Sequence, residues 1–267
     1  MKILVTGATG NIGRMVVDQL LARGADDVRA LTTNPARAQL PDGVEVAVGY
    51  LREPGTLPEA LAGVDRLYLA PVLETVTEVV RLAREAGVRQ IVDLSGDEDT
   101  DWQPIARAVE ASGLAWTHLY AGEFVENTTV WADQVRAAGD VREPYPHAAN
   151  APVAMEDIAQ VAATVLLGDE HEGRVHTLTG PETMTRAERA RRLGVVLGRE
   201  VTFTRVPLDE AAALLEPTMG EYARWYLEGF GGMVEHPQVA TTTVADVTGE
   251  PATTFEQWAA ANADTFR

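Results

Sequence analysis

The sequence predicts an α/β chain with a parallel, doubly wound sheet followed by a smaller C-terminal α+β lobe, and three observations predict it. Short apolar runs alternate with amphipathic stretches through the first 122 residues, the pattern of strands joined by helical crossovers. Three glycines, Gly7, Gly10 and Gly13, follow directly on the first apolar run. Beyond Gly122 the alternation loosens, and Pro144, Pro146 and Pro152 interrupt the chain.

Ile3, Leu4 and Val5 read as a buried first strand. Gly7 allows the sharp turn out of it, Gly10 lets the backbone approach a pyrophosphate, and Gly13 lets the next helix pack closely on the strand. Ile12, Val16, Val17, Leu20 and Leu21 recur at helical spacing, so a helix is expected from about Asn11 to Arg23. Its N-terminal amides and dipole suit an anion. Gly7, Thr9, Gly10, Asn11, Ile12 and Gly13 together predict a dinucleotide-phosphate cradle. Further strands are expected at Val28 to Leu31, Val44 to Val48, Leu67 to Ala70, Ile91 to Leu94 and Trp116 to Leu119, with helices near 54–62, 73–87 and 103–113. Right-handed crossovers place ligands at the C-terminal ends of such strands. A helix at roughly 155–167 follows the prolines. The expected division is a nucleotide-binding core over 1–122 and a substrate lobe over most of 123–267, with segments at about 151–180 returning to the core.

Composition narrows the function. A net charge of −18 over 267 residues disfavours nucleic acid, which requires clustered cations, and an anionic membrane surface. The N-terminal apolar run is too short for a signal peptide or a membrane span. Without cysteine, disulfides and thiol catalysis are excluded. The expectation is a soluble, cytoplasmic protein with a small-molecule substrate, and a homodimer is left open. The acidic run Asp97, Glu98, Asp99 and Asp101 has no histidine close in sequence and reads as a solvated loop, so no metal site is expected.

Many short-chain dehydrogenases use a Tyr-x-x-x-Lys pair, whose lysine lowers the tyrosine pKa and binds ribose. This chain has a single lysine, Lys2, at the start of the first strand, and none of its six tyrosines has a lysine four residues on. Catalysis would then rest on positioning a hydride donor, with a different acid or water.

The chain resembles the NmrA-like branch of the atypical short-chain dehydrogenase/reductases, which includes triphenylmethane reductase-like and NAD(P)H:quinone reductase-like proteins. The likeness rests on TGATGNIG at 6–13, VRALTTNPARA at 28–38, EASGLAWTHLYAGEFVEN at 110–127, APVAMEDIAQVAATVL at 151–166, LTGPETMT at 178–185 and VTGEPATTFEQW at 247–258. It implies an extended Rossmann-type fold, a smaller C-terminal lobe and use of NADPH. Three positions depart from the family pattern. Thr32 and Thr33 stand where an arginine often grips the 2′-phosphate, Tyr50 stands where an aspartate is usual near adenine, and Leu119-Tyr120-Ala121 replaces a Leu-Arg-Pro.

No acid for the ribose hydroxyls of NAD occurs between Leu31 and Asn34. Arg37 and Arg14 remain as phosphate partners, beside the Thr32 and Thr33 hydroxyls. NADP is therefore expected over NAD, with loss of the cofactor site as the alternative. The resemblance places Ser95 against nicotinamide or substrate, and Ala70, Pro71, Val72 and Gly122 along the cofactor. Tyr120 is a second candidate proton donor. Phe124 and Asn127 match a Phe-x-x-Asn element of the active-site wall. His147 and Trp225, the latter in a stretch with Tyr226, Phe230 and Met233, are candidate substrate residues. The leading expectation is an NADPH-dependent reductase of an apolar, aromatic or quinone- or ketone-like molecule. The alternatives are a non-catalytic NADP(H) sensor and a biosynthetic enzyme doing non-redox chemistry such as cyclisation, dehydration or epimerisation.

Overall fold

The computed structural model describes residues 1–97 and 100–267. The chain begins β1 (Ile3–Val5), α1 (Asn11–Ala22), β2 (Val28–Thr32), β3 (Glu45–Val48), α2 (Pro58–Leu61), β4 (Arg66–Leu69), α3 (Val76–Glu85), β5 (Gln90–Ser95), α4 (Gln103–Ala111) and β6 (Ala115–Ala121). It continues through α5 (Ala132–Ala138), β7 (Asp140–Glu143), β8 (Ala149–Asn150), α6 (Met155–Leu167), β9 (Arg174–Leu178), β10 (Met184–Thr185) and α7 (Arg186–Leu197). β11 (Thr202–Arg205), α8 (Leu208–Met219), α9 (Tyr222–Glu228), α10 (Thr243–Thr248) and α11 (Phe255–Ala261) complete it. These elements form two compact units, one of Met1–Ala121, Met155–Leu178 and Thr243–Glu250, the other of Gly122–Ala154, Thr179–Thr242 and Pro251–Arg267.

The first unit is a Rossmann-type α/β layer structure. Its sheet runs β3-β2-β1-β4-β5-β6-β9, parallel throughout. Strands buried on both faces must be apolar along their length, and Ile3, Leu4 and Val5 are all buried. Because β2 and β4 flank β1 on opposite sides, the strand order reverses there, which opens a crevice at the C-terminal edge. One face of the sheet buries Leu67, Leu69 and Ile91 against Val79 and Val80 of α3 and Ile105 of α4. Two buried arginines pin helix ends. Arg66 donates to the carbonyls of Leu166 and Gly168 at the end of α6, at 2.9 and 2.6 Å, and Arg29 donates to those of Ala60 and Ala62 at the end of α2. Cations are favourable at such carbonyl ends. Lys2, at the N-terminal margin of the sheet, pairs with Glu45 and Asp27.

The structure departs from the sequence reading at three places. The helix expected near 54–62 is a 3-10 turn, Pro54–Thr56, and then the single turn of α2, because Pro54 and Pro58 remove the amides a continuous helix needs. β6 runs on to Ala121 because β9 pairs with it as far as Leu178, so Tyr120 lies within the strand and not after it. β9 itself escapes detection because only His176 and Leu178 of its five residues are buried.

The second unit pairs β7 with β11 in parallel and β8 with β10 antiparallel. Its core contains Trp131, Leu193, Phe255, Trp258 and Phe266. Four charges are buried nearby. Arg186 forks onto Glu143, and Arg189 donates to Glu123 at 2.8 Å and to Asn150 at 2.6 Å. Trp131 Nε1 also donates to Glu143, and the Tyr226 hydroxyl to Glu123. The Arg186 guanidinium lies 3.8 Å from the centre of the Phe230 ring. Two cations and two anions sum to zero, the condition for burying charge at tolerable cost.

Burial pushes the Glu123 carboxyl up, but Arg189 and Arg186 outweigh it and hold it at about 2. A carboxylate depressed below its unfolded value contributes stability that is present above about pH 4.3 and is lost as pH falls through the folded value. Denaturant midpoints measured from pH 5 down to pH 2 are expected to fall. Glu123→Gln should flatten that slope and, by leaving buried cations short of a partner, cost about 3–5 kcal/mol at neutral pH.

Candidate active site

The loop from β1 to α1 is held by close contacts. Gly7 sits at φ +62°, open to glycine at no steric cost. A Cβ on Gly13 would stand 2.2 Å from the Gly7 carbonyl oxygen, so α1 packs onto the loop only because that position has no side chain. Thr6 stitches the floor of the loop, donating from Oγ1 to the Tyr68 carbonyl at 2.9 Å and accepting from the Ala70 amide at 2.8 Å. Gly10 is the N-cap of α1 with φ −86° and no capping side chain, and the first turn carries no acid. The first amides of a helix lack intrahelical partners, and here Gly7, Thr9, Gly10 and Asn11 are exposed beside them, with Ile12 half-buried. An exposed rim of amides with no competing carboxylate fits a dinucleotide pyrophosphate.

At the end of β2, Thr32 is buried and its hydroxyl accepts from the Asn34 amide at 3.2 Å, whereas Thr33 and Arg37 are exposed. Arg14 donates to the Gln39 carbonyl at 2.6 Å and pairs with Asp18. Among the described residues the Arg37 side chain has no hydrogen-bond or ion-pair partner. After β4, Ala70 is half-buried and Pro71 exposed, but Val72 belongs to the core, which leaves Val72 only its backbone to offer a ligand. Tyr50 is exposed, with its amide donating to Thr56 Oγ1 at 2.9 Å.

The ends of β5 and β6 hold an arrangement that sequence reasoning missed. Ser95 closes β5 and donates from its hydroxyl to Asp93 Oδ1. The other carboxylate oxygen lies 2.6 Å from His118 Nδ1. Asp93 and His118 are fully buried. Trp116 stacks on one side of the imidazole at 4.1 Å and Tyr120 stands parallel on the other at 6.0 Å. The available signal was an Asp-x-Ser and a His-x-Tyr on adjacent strands, polar residues sharing one face of a buried sheet.

The remaining candidates lie in the second unit. Gly122 packs against Gln238, which a Cβ would approach to 2.5 Å. Phe124 bridges to Val153 and accepts from the Asn127 amide at 3.0 Å, so these two share one turn. His147 and Trp225 are exposed. An open cavity of about 700 Å³ in this unit is lined by Arg191, Val195, Glu200 and Phe203 among others and contains none of the candidate residues. Among the described residues no cluster of three or more side chains could hold a metal, and no helix is long and apolar enough to cross a membrane. Of the acidic run, Glu98 and Asp99 lie outside the described residues.

A family model described as NAD(P)H-binding matches residues 7–169. A (4-alkanoyl-5-oxo-2,5-dihydrofuran-3-yl)methyl phosphate reductase from Streptomyces griseus is 36% identical, and an NAD(P)H azoreductase from Xenophilus azovorans 32%, each match covering 99% of both chains. The chain belongs to the NAD(P)H-binding, NmrA-like reductases. The crystal structure of the Escherichia coli NADPH-dependent quinone oxidoreductase QOR2 with NADPH matches this member of the family with a TM-score of 0.89 and 25% identity, over 98% of this chain and 99% of that one. Like its relatives, this NmrA-like chain is an NAD(P)H-dependent oxidoreductase.

The two loop glycines should separate by substitution. Gly10→Val is expected to leave the fold intact and abolish nucleotide binding in calorimetric titration, since its side chain intrudes on the phosphate path. Gly13→Ala is expected to lower stability by about 1–3 kcal/mol, an overpacking cost, visible in thermal denaturation.

Proposed function

We propose that the chain uses NADPH to reduce an apolar, electron-poor acceptor of the quinone, aromatic or conjugated-ketone type. The observation that carries this reading is the Ser95 hydroxyl at the C-terminal end of β5, on the sheet edge where a dinucleotide held by the Gly7–Gly13 loop would lie. The names of the relatives support an electron-poor, conjugated acceptor, since they describe reductases of an unsaturated furanonylmethyl phosphate and of azo compounds and an oxidoreductase of quinones. When bound, NADPH supplies the hydride. With acceptor bound, Ser95 turns its hydroxyl proton from Asp93 Oδ1 to the oxygen on which negative charge develops, and Tyr120 from the neighbouring strand is the second donor. The glycine loop and the α1 amides hold the pyrophosphate, while Ala70 and the backbone of Pro71 and Val72 line the path toward nicotinamide. Phe124, Asn127, His147 and Trp225, all of the second unit, are kept as proposed substrate residues on their sequence positions.

NADPH is preferred to NADH because no carboxylate stands at Leu31 to Asn34 to repel a 2′-phosphate. With Arg14 committed to Gln39 and Asp18, Arg37 is the cation for that phosphate, and Thr33 adds a hydroxyl.

Menadione-dependent oxidation of NADPH by the purified protein tests the reading. Ser95→Ala or Tyr120→Phe is expected to lower kcat by on the order of 100-fold with NADPH affinity retained, and full activity in both variants would remove the assigned donors. Thr33→Arg should tighten NADPH relative to NADH by about 1.5–3 kcal/mol at most, the worth of a charged hydrogen bond. An unchanged ratio in paired titrations would show that this loop does not face the 2′-phosphate.

A further inference from the structure

A line of polar side chains crosses the apolar packing beneath the sheet edge. Parallel pairing sets Asp93 opposite His118 and Ser95 opposite Tyr120. From Ser95, 7% exposed, the line passes to Asp93 and His118, both 0% exposed. It ends at α4, where Glu110 Oε1 stands 3.5 Å from His118 Nε2. The Glu110 side chain is 49% exposed, so one end of the line meets solvent and the other the edge where ligands gather.

This arrangement differs from a pair kept for stability alone. A buried carboxylate and imidazole are expensive unless each polar atom is satisfied, yet His118 Nε2 makes no hydrogen bond among the described residues. An imidazole with one nitrogen bonded inward and the other facing an exposed carboxylate can take a proton on one side as it gives one on the other. We propose that Ser95, Asp93, His118 and Glu110 form a proton relay that returns to Ser95 the proton it gives to the reduced acceptor. The proposal rests on the reductase reading above.

The steps balance. Hydride from NADPH forms the new bond at the acceptor carbon and leaves the nicotinamide oxidised, and the displaced π pair passes to the acceptor oxygen. That oxygen takes the Ser95 hydroxyl proton. As His118 passes its Nδ1 proton by way of Asp93 to the serine oxygen, its Nε2 takes one from water through Glu110. Each turnover consumes one hydride and one proton and leaves His118 protonated on Nε2, and rotation of the ring returns that proton to the Asp93 side before the next turnover. The titratable groups that reach the pair among the described residues are Glu110 from α4, Tyr120 from β6 and Tyr68 from β4. Burial, with the nearby Asp93 charge, pushes the Tyr68 phenol up, so Tyr68 stays neutral and takes no part in the exchange.

Glu110→Gln tests the relay at its exposed end, where folding is least at risk. With NADPH and menadione, kcat should fall by on the order of 10-fold, below the 100-fold or more of a group that meets the acceptor directly. NADPH affinity should be unchanged, the solvent deuterium isotope effect on kcat should grow, and imidazole buffer should restore part of the rate. In the cofactor-free protein, exchange of the buried His118 ring proton with water, followed by 15N-edited NMR, should be slower in Glu110→Gln than in the parent. Unchanged kcat and isotope effect, or unchanged ring-proton exchange, would overturn the relay. If the parent protein fails to oxidise NADPH with menadione or with any of a panel of quinones and enones, the reductase reading fails, while the exchange measurement still judges the path.

Discussion

The nucleotide-binding half of the molecule depends on one close approach, that of the Gly13 Cα to the Gly7 carbonyl. With no side chain between them, α1 starts directly beneath the loop, and its unpaired amides rise beside an exposed rim. Thr6 adds the second constraint by joining the ends of β1 and β4, the two strands that border the crevice. Helix position, loop shape and the direction of the amides follow from these few atoms.

The second unit is organised by charge as much as by apolar packing. Arg186, Arg189, Glu123 and Glu143 stand where aliphatic contacts would otherwise be expected, and Trp131, Asn150 and Tyr226 add hydrogen bonds to them, leaving Arg189 Nε unpaired among the described residues. Such a cluster adds little net stability compared with apolar residues of similar size. It does admit few alternative arrangements, since any slip of α7 against β7 would strand a buried ion.

The strands of the first unit were legible because they are buried on both faces and so read as uninterrupted apolar runs. Val28–Thr32 is buried at all five positions, and its expected position differs from the observed one by a single residue. β9 was hidden because it lies at the sheet edge, where three of its five side chains face water. The second unit was hidden for another reason, since two-residue strands such as β8 and β10 carry too few residues to show a period. The glycine loop stood out because local backbone geometry dictates residue type. Asp93 and His118 did not, because what distinguishes them is a pairing between strands, and a single sequence does not display register.

Lys2 illustrates how a compositional accident becomes a handle. The sole side-chain amine of the chain lies at the N-terminal margin of the sheet, and its hydrogen bond to Glu45 raises its pKa. A reagent that reaches side-chain amines therefore meets one lysine, a weak nucleophile, at the end of the parallel strands away from the glycine loop. A tether on Lys2 would lie at the opposite end of the sheet from the nucleotide edge.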